Sequence, residues 1–178
     1  MSICVVFIRV PAEVLAETIG NHDLVRPLIR QYSEQDSQGH DEGNPSPSAY
    51  LDIDKSWHGI WFLLDAAGCQ GKEVTYGGGT SYVAYDDDPW EHRPDLLPAS
   101  YFTPEEVANL ADLLGEHPFR QLATYYDAAT MMEDGIYGPD WDRDPDEGLT
   151  YLRLWYEQLV EFLARAASEG EAIITMPL

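Results

Sequence analysis

The apolar positions at the two ends of the chain form unbroken runs, while those between them recur at helical spacing. Ile3-Cys4-Val5-Val6-Phe7-Ile8 is β-branched, stops at Pro11, and predicts a strand covered on both faces. Ala172-Ile173-Ile174-Thr175-Met176 predicts a second. As the most apolar strands they are expected to be central and adjacent in one sheet. Pro11 fits a first helical turn, with Val14, Leu15 and Ile19 behind it. Asn21 is placed to cap a second short helix carrying Leu24, Val25, Leu28 and Ile29.

From Leu51 the spacing predicts a helix whose stripe is Ile53, Trp57, Ile60, Trp61 and Leu64, which puts both tryptophans in the core. Residues 68–79 read as loop, followed by a short strand from Ser81 to Tyr85. Thr103-Pro104-Glu105-Glu106 is a strong helix start: Thr at the cap, Pro at the first helical position, Glu three residues after the cap. Val107, Leu110, Ala111 and Leu114 form its buried stripe. Pro118 opens another helix, and a helical turn from Ala128 to Met132 ends at Gly135. Asp144-Pro145-Asp146-Glu147 repeats the cap logic for the longest helix, which Gly170 ends. The segment 31–49 is rich in Ser, Gln, Asp, Gly and Pro and reads as a flexible surface loop. Together these elements predict an α+β fold. Residues 1–178 form a single domain with a mixed or antiparallel sheet and several helices, including a long C-terminal one.

Composition narrows the function classes. Ten Lys and Arg stand against 32 Asp and Glu, a formal net charge of -22. So negative a surface repels phosphate backbones and anionic lipid headgroups, which disfavours direct nucleic-acid or membrane binding. Solubility, a basic protein partner and cation binding all remain as reasons for the acidity. Cys4 and Cys69 are too few for a disulfide framework or a zinc site. No transmembrane segment or signal peptide is seen, so the cytoplasm is the expected location.

The segment Leu51-Asp52-Ile53-Asp54-Lys55-Ser56-Trp57-His58-Gly59-Ile60-Trp61-Phe62-Leu63-Leu64 resembles the signature helix of the YfbM-like family, bacterial proteins of unknown function. Three later elements agree in order: Tyr101 to Val107, then Gly135-Ile136-Tyr137, then Leu159 to Ala167 followed by Ala172-Ile173-Ile174. Trp61 departs from the pattern, standing where many members carry a histidine. The resemblance implies a compact α+β fold and brings no activity, cofactor or catalytic residue with it.

Candidate chemistry is sparse. Asp54 and His58 share a face if the helix already runs through Asp54, and such a pair can orient a general base. Lys55 lies beside them, and Asp52 serves equally as a helix cap. A small-ligand or enzymatic pocket here would draw on Lys55, Trp57 and His58, with Tyr137 and Trp141 as further binding residues. Asp140, Asp142 and Asp144 alternate like the start of a calcium loop, but Pro145 stands where that loop needs Gly and Tyr151 where it needs Glu. Gly77-Gly78-Gly79-Thr80 lacks the ending of a phosphate loop, and Asp86 to Asp88 with His92 is a weak metal signal. No hydrolase motif is present and nothing calls for a cofactor. The leading expectation is a small acidic protein-binding module, accessory or immunity-like, that meets a basic partner through Asp86 to Trp90 and Tyr137 to Trp141.

Overall fold

The unbroken apolar runs become the two central strands of one sheet. In the computed structural model, which describes residues 3–38, 48–75 and 99–178, β1 (Val5–Val10) pairs antiparallel with β4 (Ala172–Pro177), and every residue of both is buried. Their register sets Val5 opposite Pro177 and Val10 opposite Ala172. Reciprocal backbone hydrogen bonds between Cys4 and Leu178, at 2.9 and 2.8 Å, extend the ladder. Two short strands complete the order β2-β1-β4-β3: β2 (Tyr50–Asp52) and β3 (Ser100–Phe102), both antiparallel to their neighbours.

Successive side chains of a strand point to opposite faces, so an all-apolar strand needs cover on both. Val6, Ile8, Val10, Ile174 and Met176 pack on one face against Leu15 of α1 (Ala12–Gly20) and Val25 and Ile29 of α2 (Val25–Gln38). Val5, Phe7, Phe102 and Ile173 pack on the other, against a larger helical layer. That layer comprises α3 (Trp57–Ala66), α4 (Gly71–Thr75), α5 (Pro104–Glu116), α6 (Phe119–Leu122), α7 (Ala128–Glu133) and α8 (Pro145–Glu169). The fold is therefore a single α+β domain with a helix-covered antiparallel sheet.

The local start and stop signals act as their chemistry dictates. The Glu106 N–H donates to Thr103 Oγ1 at 3.3 Å and the Thr103 N–H donates to Glu106 Oε2 at 2.7 Å, a reciprocal cap for α5. Asp144 Oδ1 accepts from the Glu147 N–H at 3.1 Å at the head of α8. Gly170 ends that helix at φ 67°, a left-handed conformation that glycine adopts without penalty.

Local pattern misleads at four places. Residues 31–38, expected as loop, extend α2, whose polar turns are tied by the Arg30–Glu34 pair at 2.8 Å. Leu51 and Asp52, expected as helix, form edge strand β2, because pairing with Phe7 and Val6 outweighs the helical spacing of the segment. Gly71–Thr75, expected as loop, is α4, with Val74 buried. Trp61, expected in the core, is only half-buried; its indole N–H donates to Asp65, and Lys72 Nζ lies 5.9 Å above its ring. Gly77 to Thr80, the strand from Ser81 to Tyr85 and the acidic segment Asp86 to His92 lie outside the described residues, as do residues 39–47 of the expected loop.

Thr103→Ala removes one half of the α5 cap. It is expected to lower stability by about 1 kcal/mol in urea unfolding, since the orphaned Glu106 N–H loses its acceptor.

Candidate functional site

The residues that look most chemical in the sequence do converge, at the end of the sheet where α3 and α8 begin. Asp54 is the non-glycine residue with positive φ among the described ones, at 50°. Aspartate tolerates this region better than most side chains, and its own N–H is held by Asp52 Oδ1 at 2.7 Å. The turn swings the Asp54 carboxylate toward β1 and α8. There it accepts from Cys4 Sγ at 3.4 Å and from the Tyr151 hydroxyl at 2.8 Å. The Tyr151 oxygen in turn accepts the Lys55 N–H at 3.2 Å. Burial, together with the Asp54 carboxylate, drives the Tyr151 phenol far above its ordinary range, so it stays a neutral donor.

His58 belongs to a second knot. Its ring lies parallel to Trp57, with centroids 4.9 Å apart and planes 7° apart, and it leans on Trp61 at 4.8 Å. Nδ1 accepts the Tyr137 N–H at 2.9 Å, which assigns the remaining proton to Nε2. Desolvation lowers its pKa and favours this neutral form. The Tyr137 hydroxyl accepts the Ile3 N–H at 2.8 Å, and the Trp57 indole donates to the Ile3 carbonyl at 3.1 Å. These bonds tie the loop ahead of α8 to α3 and to the start of β1.

The expected Asp54–His58 general-base pair is therefore not formed. Asp54 to Ser56 form a 3-10 turn ahead of α3 and Asp54 has a positive φ, so the four-residue spacing does not follow an α-helix, and Asp54 spends its oxygens on Cys4 and Tyr151. The lone pair on His58 Nδ1 is already occupied. Trp57, at 6% exposure, and Trp141, at 0%, are core residues rather than ligand platforms. The Trp141 indole donates inward to the Ile136 carbonyl at 2.9 Å. Lys55 remains half-exposed at the rim.

Trp141 fits because two glycines make room. A Cβ on Gly138 would lie 2.2 Å from its ring and one on Gly59 2.9 Å away, whereas one on Gly148 would meet the Tyr126 hydroxyl at 2.4 Å and only touch the indole. Gly59 sits inside α3, where glycine costs about 1 kcal/mol against alanine, and the close approach explains why it is there. Gly59, Gly148, Cys4 and Tyr151 were not among the candidates. The glycine inside the α3 stripe was the available signal for a close approach; nothing local marked Tyr151.

The proposed cation ligands do not assemble. Asp144 is committed to the α8 cap, and the neighbouring Asp142 carboxyl raises the Asp140 carboxyl above its ordinary range. Among the described residues no three His, Cys, Asp or Glu side chains converge as a metal site would need. No described helix is long and apolar enough to cross a membrane.

These features define a helix-covered α+β domain whose polar knots join chain segments far apart in sequence. The chain belongs to the family described as Domain of unknown function (DUF1877), whose model matches residues 1–176. It is similar in structure to YfbM from Escherichia coli, a protein of unknown function, with a TM-score of 0.65 and 15% identity over 98% of this chain and 99% of that one. At that identity the likeness establishes the fold alone. No curated protein matches the chain.

Gly59→Ala forces its new methyl against Trp141 and Leu152 and is expected to lower stability by about 1–3 kcal/mol despite its better helix propensity. An unchanged urea midpoint would refute the socket. A second expectation concerns pH. Below the ordinary histidine value of 6.5 the unfolded chain takes up a proton that folded His58 resists, so stability falls as the pH drops through that region. The fall between about pH 7.5 and 5.5 should shrink in His58→Asn, measured by urea midpoints.

Proposed function

We propose that this protein is a binding module that presents a fixed acidic loop to a basic protein partner. The observation that carries the reading is the loop ahead of α8. Between Glu133 and Glu147 it exposes seven carboxylates beside a single cation, Arg143. The loop is held by the buried Trp141, by the Tyr137 N–H on His58 and by the Tyr137 hydroxyl against Ile3. Fixed charges hold their pattern without an ordering cost on binding, and a concentrated negative field speeds encounter with a cationic surface. Of the two segments expected to meet a partner, Tyr137 to Trp141 contributes through Asp140 and the neighbouring carboxylates, while Trp141 acts from within the core.

A cytoplasmic location accords with this reading. Cys4 and Cys69 are not joined in a disulfide, as fits a reducing compartment. The bonds that occupy Asp54 and His58 weigh against an enzyme at that place.

Capture from lysate on immobilised protein tests the reading. Proteins retained at about 0.05 M salt and released at about 0.5 M are expected, because raising salt shortens the reach of surface charge. Asp140→Asn, Asp142→Asn and Asp146→Asn combined should abolish that retention while leaving the melting temperature in place. Retention unaffected by the triple substitution would rule the loop out.

A further inference from the structure

A groove between α6 and α8 brings two arginines of this acidic chain together. Its volume is about 500 Å3, within the range of small-molecule sites. Phe119, Ala123 and Leu149 supply an apolar lining, and Arg120, Arg153 and Glu157 stand at its polar edge. Leu149, Arg153 and Glu157 follow one another at four-residue spacing and so share a face of α8.

Both guanidiniums are exposed and, like those of Arg26 and Arg143, have no ion-pair partner among the described residues. The protein carries 32 carboxylates for ten basic residues, so an arginine has abundant acceptors. Arg30 and Arg165 each close on a glutamate four residues later, at 2.8 and 3.2 Å. Arg153 has Glu157 at the same spacing, yet among the described residues neither Arg153 nor Arg120 makes an ion pair or a side-chain hydrogen bond. Two free planar forks facing an apolar trough suit an anion with an apolar body. The forks offer paired donors to a carboxylate, and the trough removes hydrocarbon from water. Glu157 on the same lining offsets one of the two positive charges, and screening over about 8 Å at physiological salt weakens the effect of the more distant carboxylates.

We infer that the groove between α6 and α8 binds a small carboxylate carrying a compact aromatic or branched apolar group. The two arginines hold the anion, and Phe119 and Leu149 hold the apolar part. The reading does not rest on the acidic loop and survives or fails separately from it.

Phenylacetate is the probe, with phenylacetamide as its uncharged counterpart and acetate as the anion without an apolar body, each titrated by protein NMR. Saturable binding of phenylacetate near about 1 mM is expected, with shifts confined to α6 and α8. The amide and acetate should each bind at least tenfold more weakly. Arg120→Gln with Arg153→Gln should cost phenylacetate at least tenfold without moving the melting temperature, since both side chains are exposed. Equal binding of phenylacetate and its amide, or an unaltered affinity in the double variant, overturns the inference. So does an absence of saturation by about 10 mM.

Discussion

Trp141 has no exposed surface, and the socket that receives it decides how three distant parts of the chain meet. Gly59 on α3 and Gly138 in the preceding loop each leave out a side chain that would collide with the indole, and Gly148 on α8 packs beside it. Burying so large a ring removes much apolar surface from water, and its N–H finds the Ile136 carbonyl, so no polar penalty offsets the gain. The loop between α7 and α8 is thereby held against α3. His58, Tyr137 and Ile3 then line up their hydrogen bonds as consequences of that placement.

The same constraint redefines the side chains that look catalytic. An aspartate, a histidine, a tyrosine and a cysteine brought together can do chemistry when one of them has a lone pair to spare and a substrate to reach. Here the Asp54 carboxylate receives a phenol and a thiol, and His58 Nδ1 receives a backbone N–H. These groups work as bolts between the strand ends and the helices. What remains available for recognition is outside the knots: the acidic loop that the socket holds in place, and the trough between α6 and α8.

Electrostatics shape the protein on two scales. A net charge of -22 repels itself over the whole surface, and salt weakens that repulsion. At short range the fold still compensates individual charges. Arg9 is almost fully buried within 3.7 Å of Glu169 and 3.4 Å of Glu171, with its guanidinium over the Phe162 ring. That arginine secures the junction of β1 with the end of α8, where an unpaired buried cation would be costly.

The terminal strands, the helix caps at Thr103 and Asp144, the stop at Gly170 and the family likeness of Leu51 to Leu64 were all legible in the sequence. Each depends on residues within a few positions of one another, or on a run so apolar that only full burial accommodates it. The assignments of Leu51 and Asp52 to helix and of residues 31–38 to loop failed because a partner strand and a continuing helix outweighed local composition. The candidate site was half legible for the same reason. Asp54, Lys55, Trp57, His58 and Tyr137 were singled out by residue type, but Tyr151 is 97 positions from Asp54, and Tyr137 is 79 from His58. The sequence by itself determined the sheet's two central strands, the main helix boundaries and the charge. Only the tertiary structure decided which polar groups are spent on one another, because hydrogen bonds and close packing act over a few ångströms, wherever along the chain the partners happen to lie.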